Sequence, residues 1–399
     1  MNEMQRKLGF INIAHFVDHY VLLIFPTVVI GMQAELNRSY AELIALSTAC
    51  FVAFGLFSLP AGWIGDHWSR RNMIAIFFFG CAASLGMAAA SPNLIVLAIA
   101  LFVLGIFAAI YHPIGVTVLL ANSKNRGRDV ATNGVFGNLG VALAPGVTAL
   151  IATFFGWRIA FALPAVICAA IGFAFVFMTN DRKENPAERK RTAEVKMTFA
   201  AAAVFFGVYA LLSFAGGLVF NTMTISIPKI IDEGLRGDIP LAWIGSIATG
   251  VLLFGGIAQI TVGQLVQKIS PHLLFACIGV MQAIGIALAT VSTGSYTLLI
   301  ALAISIAGIY GQVTVGDLVI ARYTADAWRG RIYAVRFFLS FISSGLAVSM
   351  IAALYGQGGF RLVLGATTVC AIVFAISTVS IALLASRVEH KNAKLQPAE

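Results

Sequence analysis

Charge is scarce in this sequence. Of 399 residues only 17 are acidic and 26 basic, 11% in all, while 59% are hydrophobic and the mean hydropathy is +0.91. A water-soluble globule carries about 25% charged residues, so this balance excludes a soluble enzyme and indicates an integral membrane protein. The net charge of +9 comes from short basic clusters flanking apolar runs. A nucleic-acid surface needs a sustained basic stripe with interleaved aromatics, so the expected partner is the lipid bilayer and not nucleic acid. Cysteine is sparse as well: Cys50, Cys81, Cys168, Cys277 and Cys370 fall in separate apolar runs with no CxxC pair. They read as small core or lipid-facing residues. No G-x-x-x-x-G-K-S/T loop is there to cradle phosphates, and no hydrolytic or redox constellation appears, so neither ATP-driven work, catalysis nor a cofactor is expected. A cleavable signal peptide is not expected either, because the first apolar run is too long for an h-region and no small-residue cleavage site follows it.

What is present is length of apolar run. A bilayer core requires about 20 apolar residues per helix, and such runs begin at Leu8, Leu43, Met73, Leu94, Val130, Ile159, Met197, Leu241, Leu273, Tyr296, Ile332 and Leu362. Membrane strands need short segments of period-two alternation, which runs such as residues 95–120 do not show. The expected fold class is therefore an all-α membrane protein of twelve transmembrane helices. Twenty of the 26 Lys and Arg fall at the termini and in the even-to-odd loops. Arg38, Arg158, Lys229, Arg236 and Arg361 lie in the odd-to-even loops, and Arg336 lies within a span. That bias places both termini on the cytoplasmic side. The charged stretch 181–196 reads as a cytoplasmic linker between an N-terminal six-helix bundle, 1–180, and a C-terminal one, 197–399, with a short cytoplasmic tail.

The two halves repeat. At a shift of 203, Arg126-Gly127-Arg128 aligns with Arg329-Gly330-Arg331, and Gly156-Trp157-Arg158 aligns with Gly359-Phe360-Arg361. At a shift of 201, Gly62 to Asp66 corresponds to Gly263 to Gln267, with Lys268 in the place of His67. Pseudo-symmetric halves around a midplane site are a common transporter architecture.

Between the second and third spans, Gly62-Trp63-Ile64-Gly65-Asp66-His67-Trp68-Ser69-Arg70-Arg71 resembles the major facilitator superfamily signature G-x-x-x-D-R/K-x-G-R/K-R/K. His67 replaces the usual cation and Ser69 the usual glycine. The resemblance covers essentially the whole chain. It implies the major facilitator fold, a monomer acting by alternating access, and a conformational latch made by Gly62, Asp66, Arg70 and Arg71. Physically, Asp66 stands at the end of the second span, where it can pair with arginine and face helix N-termini. In the fifth span Gly134, Gly137, Gly140, Ala144, Pro145 and Gly146 form a stripe of small residues suited to close helix packing. It resembles the family's antiporter motif G-x-x-x-G-P, with Ala144 where the second glycine is usual. Within the superfamily, Tyr111-His112-Pro113, Arg126, Gly127, Gly137 to Gly140 and Pro145 resemble the fosmidomycin-resistance branch of drug exporters of the bacterial cytoplasmic membrane. Ile114 stands where an acid often follows the His-Pro pair, so the substrate does not carry over.

Burying a charge in hydrocarbon costs about 2.5 to 3.5 kcal/mol even on lenient scales, so each intramembrane ionisable group calls for an explanation. His15, Asp18 and His19 follow i, i+3, i+4 spacing and share a helical face. They can exchange protons, form a hydrogen-bonded contact to another helix, or hold a transition metal; the first is the expectation adopted, with no resident metal. Asp317 is the second proton-coupling candidate: alone in a cavity it could carry protons, and paired with Arg336 it would be structural or a gate. By the resemblance, the first helix of each three-helix unit lines the cavity. His112 and Asn221 stand on such helices, as does Gln312, and with Arg336 they are the expected substrate-cavity residues. Arg158 and Arg361 read as interfacial anchors or C-cap partners. The function these features imply is secondary transport, as a proton-coupled antiporter expelling a small amphiphilic organic compound. The alternatives are import or uniport of a polar nutrient, organic anion or metal complex, and a non-transporting receptor or assembly factor.

Overall fold

The computed structural model describes residues 3–123, 125–180, 199–235, 239–323 and 326–395. Among them there are helices and no strands: α1 (Glu3–Leu36), α2 (Tyr40–Ala45), α3 (Thr48–His67), α4 (Arg70–Ala89), α5 (Leu94–Ala108), α6 (Tyr111–Asn122), α7 (Arg126–Phe155), α8 (Trp157–Met178), α9 (Phe199–Gly234), α10 (Leu241–Leu265), α11 (Pro271–Val291), α12 (Ser295–Tyr323) and α13 (Asp326–Leu395). Helix is the outcome that hydrocarbon enforces, because every backbone donor finds its acceptor within the segment.

Eleven continuous stretches among the described residues are long and apolar enough to cross a bilayer, and the last, Phe338–Arg387, has 50 residues. At 1.5 Å per residue that stretch would extend about 75 Å, against a core of about 30 Å. It is two crossings, broken at Gly358 and Gly359, where Gly359 takes φ 61°. The sequence repeat pairs Gly359 with Gly156, and Gly156 takes φ 83° at the junction of α7 and α8. Left-handed backbone is open to glycine without steric cost, so the same residue makes the same break in each half. The fold is the all-α, twelve-crossing one expected.

Two crossings are themselves interrupted. The fourth is split into α5 and α6 by Pro113, whose ring clashes with the carbonyl four residues back, that of Ala109. The α-helix accordingly stops at Ala108 and restarts at Tyr111. Pro113 then occupies the third position of α6, where a missing N–H costs nothing. The second crossing begins with the short α2, which is held by a capping box: Ser39 accepts from the Glu42 N–H, and the Glu42 carboxylate accepts from the Ser39 N–H at 2.9 Å.

The chain forms two compact units. The first is Met1–Glu188 with Thr224–Leu253 and Ser344–Gly356; the second is Arg189–Met223 with Phe254–Ser343 and Gln357–Glu399. The stretch 181–196, expected as a linker, lies outside the described residues. In the first unit α1 packs chiefly on α7, and α4 on α8 and α5. At the end of the unit remote from the N-terminus, Ser344 Oγ donates to the Phe51 carbonyl at 3.1 Å, and the Gly146 N–H donates to Thr249 Oγ1 at 3.0 Å. The second unit packs around Phe205, Tyr209, Phe275, Val319, Tyr323 and Phe374. Outward-facing side chains are large and apolar, among them Phe154, Phe177 and Ile376, as a lipid-facing surface requires.

Candidate functional site

Four of the intramembrane ionisable residues, His15, Asp18, His19 and His112, gather in the first unit where α1, α6 and α7 meet. Asp18 is fully buried. Its Oδ2 lies 3.3 Å from His112 Nε2, and no hydrogen bond to either carboxylate oxygen is formed by the described residues. The His15 and His19 rings of α1 stand together, but the imidazole that reaches the Asp18 carboxylate comes from α6. The break before Pro113 is what sets His112 in the first turn of α6.

The three imidazoles form a nearly equilateral group. Ring centroids are 5.0 Å apart for His15 and His19, 5.5 Å for His15 and His112, and 5.4 Å for His19 and His112. His15 is the most constrained. Its Nδ1 donates to the Asn133 carbonyl at 2.8 Å, and its ring stacks on Tyr111 with centroids 4.8 Å apart. Asn133 is fixed in turn: its Oδ1 accepts from Tyr111 at 3.0 Å, and its Nδ2 donates to Asn12 Oδ1 at 3.0 Å. Asn133 and Tyr111 were not among the expected site residues. The one signal for Asn133 was a polar side chain within an apolar run, and Tyr111 was visible only as a neighbour of His112.

Close packing by the fifth crossing holds this group together. A Cβ on Gly137 would lie 2.5 Å from His15 Nε2, and one on Gly140 would lie 2.3 Å from the Phe16 carbonyl oxygen. Further along α7, a Cβ on Gly245 of α10 would lie 2.4 Å from the Pro145 carbonyl oxygen. The small-residue stripe thus serves α1 with Gly137 and Gly140, and α10 with Pro145 and Gly146. Gly134, counted in the stripe from sequence, meets nothing within 4 Å.

In the loop signature, Arg70 donates to Asp66 Oδ1 at 2.8 Å, one turn away. Arg71 turns instead to α8, donating to the carbonyls of Val176 at 2.5 Å and Thr179 at 3.1 Å. A guanidinium at a helix C-terminus satisfies carbonyls that have no partner within the helix. Gly62 and Gly65 pack against α6, where added Cβ atoms would meet Pro113 at 3.2 Å and Ile114 at 2.0 Å. Arg158 acts as a C-cap partner, donating to the carbonyls of Ala89 at 2.9 Å and Ser91 at 2.8 Å beyond α4.

A polar network that sequence reading missed lies in the first unit at the end remote from the N-terminus. Lys229 pairs with Asp232 and lies 3.8 Å from Glu233, Tyr355 donates to Glu233, and the Tyr40 and Tyr355 rings stand 4.8 Å apart. Lys229, Asp232 and Glu233 share the end of α9, but Tyr40 and Tyr355 come from distant segments, so no motif links the five.

In the second unit Arg336 of α13 donates to Asp317 of α12. Of the two arrangements left open for Asp317, the structure has the ion pair. Tyr209 donates to the adjacent Gly316 carbonyl at 3.1 Å. Gln312 is buried beside Gly216, and Asn221 donates back to the Gly217 carbonyl at 2.8 Å. A double-mutant cycle with Asp317→Asn and Arg336→Gln, read by thermal unfolding in detergent, should show each single change costing more than the pair together. Coupling in such cycles runs to about 0.5–3 kcal/mol, and the lower part of that range applies because the Asp317 side chain is 48% exposed. Additive single changes would remove the pair as a tie between α12 and α13.

The chain belongs to the major facilitator superfamily, whose model matches residues 8–243. It is 28% identical over 157 residues to the probable L-galactonate transporter of Escherichia coli (strain K12), covering 38% of this chain and 35% of that protein. It is 27% identical over 146 residues to the MFS-type transporter YfnC of Bacillus subtilis (strain 168), covering 35% of each. The chain thus spans about a third of the length of these relatives. Among solved structures it resembles a bacterial homologue of the human lysosomal transporter Spinster, with TM-score 0.72, 11% identity, and coverage of 97% of this chain and 96% of that one. It also resembles the nucleoside transporter NupG, with TM-score 0.74, 13% identity, and coverage of 94% and 99%. At such identities these likenesses show the fold alone. The protein is a multi-pass membrane protein of this superfamily.

Proposed function

We propose that this protein is a proton-coupled transporter, that Asp18 with His15, His19 and His112 is where the proton is taken up, and that it works as an antiporter expelling a small amphiphilic organic compound. The observation that carries the reading is the wholly buried Asp18 carboxylate set 3.3 Å from an imidazole on another helix. Such a pair offers a proton two acceptors of unlike charge, so its arrival or departure changes the attraction between α1 and α6. A change of that kind can bias alternating access. Export is supported by the small-residue stripe on α7 and by the resemblance to fosmidomycin-resistance exporters.

In this reading the bundles 1–180 and 197–399 rock about the site as a monomer in the bacterial inner membrane, with both termini cytoplasmic. Asp66 and Arg70 form the latch, and Arg71 anchors it to α8. His112, Asn221 and Gln312 face substrate. Asp317, held by Arg336, is a structural tie or gate and does not carry the proton.

The similarity to a galactonate transporter favours a second reading, uptake of an organic acid together with a proton. Reconstitution with an internal pH dye separates the two. Substrate-evoked proton movement opposite to a small amphiphile is expected. Movement in the same direction as a sugar acid would select the second reading, and substrate flux with no proton movement would overturn both.

A further inference from the structure

We propose that His15, His19 and His112, with Asp18 beside His112, form a binding site for a borderline divalent transition-metal ion of the zinc type. The reading stands on the geometry of the cluster and not on the direction or coupling of transport. One ligand atom from each of the three imidazoles lies within 4.8 Å of the others. In a tetrahedral zinc site the metal lies about 2.0–2.1 Å from each nitrogen and about 2.0–2.2 Å from a carboxylate oxygen.

Two consequences of that geometry are already met. Neighbouring ligand atoms of a tetrahedron with such bonds stand about 3.3 Å apart, and Asp18 Oδ2 stands 3.3 Å from His112 Nε2. Imidazoles pointing at one ion along their ring axes hold their centroids about 5 Å apart, and the three centroid separations here run from 5.0 to 5.5 Å. The rings therefore stand at the right spacing, and since His15 is held by Asn133 and Tyr111, the adjustment that brings the nitrogens together falls to His19 and His112. All three are only partly buried.

The chemistry of the donors agrees. Neutral imidazoles suit zinc, copper and nickel in preference to magnesium or calcium. His15 and His19 are four residues apart, the spacing by which a helix presents two imidazoles to one metal. Ligating histidines are ordinarily fixed by a hydrogen bond from the other ring nitrogen, and His15 Nδ1 already donates to the Asn133 carbonyl at 2.8 Å. That leaves His15 Nε2 with its lone pair available. Sequence offered two imidazoles and a carboxylate; α6 brings the third imidazole, and with it a three-histidine group.

The test uses the full chain, purified in detergent without a histidine tag and titrated with zinc against a chromophoric chelator. One zinc per chain is expected. His19→Ala and His112→Ala should each weaken binding by at least about ten-fold. His272→Ala should bind as the wild type does, since His272 lies in the second unit near Tyr323 and Ser386. Cobalt substitution supplies a readout that needs no variant: intense visible bands of a tetrahedral ion are expected, displaced by zinc. Thermal unfolding of each variant without metal separates lost ligands from lost folding. Absence of saturable zinc binding by the wild type, or wild-type affinity in both folded variants, would overturn the site. Because binding is read without transport, either outcome leaves the proton-coupling reading to its own assay.

Discussion

Asp18→Asn should insert and fold, yet lose all uphill transport driven by a pH gradient while retaining downhill substrate exchange. Asparagine has nearly the shape of aspartate and keeps an acceptor oxygen toward His112, but it cannot take up or release a proton. The buried carboxylate is also a burden on the fold, since charge held away from water costs several kcal/mol unless paired. Removing it should therefore leave thermal stability equal to or above that of the wild type. The measurement is substrate accumulation in proteoliposomes with an imposed pH difference, set beside counterflow without one. Undiminished uphill transport in the variant would sink the assignment of the proton to Asp18.

The second large effect is expected on α7. Gly140→Ala places a methyl group 2.3 Å from the Phe16 carbonyl oxygen, an atom of the α1 backbone that cannot swing aside. Either α1 moves away, displacing Asp18 two residues further on, or the pair of helices separates. Overpacking of this kind costs about 1–3 kcal/mol. Gly134→Ala on the same helix meets nothing within 4 Å, and should be neutral or gain up to about 1 kcal/mol from helix propensity. Thermal unfolding of the two variants side by side checks the prediction. Equal behaviour would show that α1 and α7 do not approach as closely as the structure has them.

The contrast between Gly134 and Gly140 marks the boundary of what sequence makes legible. Helical periodicity put both on one stripe, but which of them faces a backbone depends on where a second helix crosses, and that is not encoded locally. The crossings themselves were legible because hydrocarbon leaves few alternatives to about 20 apolar residues in helical form. The intramembrane histidines stood out by their cost in that setting, and Asp66 and Arg70 by the loop signature they resemble. Arg71 did not reveal its partner, since the carbonyls it meets belong to the end of α8, over 100 residues away. His112 was visible as a polar residue beside a proline. Its pairing with Asp18 was not, because i, i+3, i+4 arithmetic speaks only of neighbours on one helix. The contacts of Tyr40 and Tyr355 with the Lys229 and Glu233 pair were likewise hidden, because they join segments far apart in sequence.

The glycine break in α13 decides a matter of parity. An even number of crossings returns a chain to the face of the membrane from which it started, and an odd number leaves its end on the other. With Gly358 and Gly359 dividing the stretch Phe338–Arg387, the count among the described residues is even, and a reporter fused to either terminus is expected to meet the same compartment. Were those two residues to continue the helix, the end bearing Lys391 and Lys394 would be stranded opposite the start.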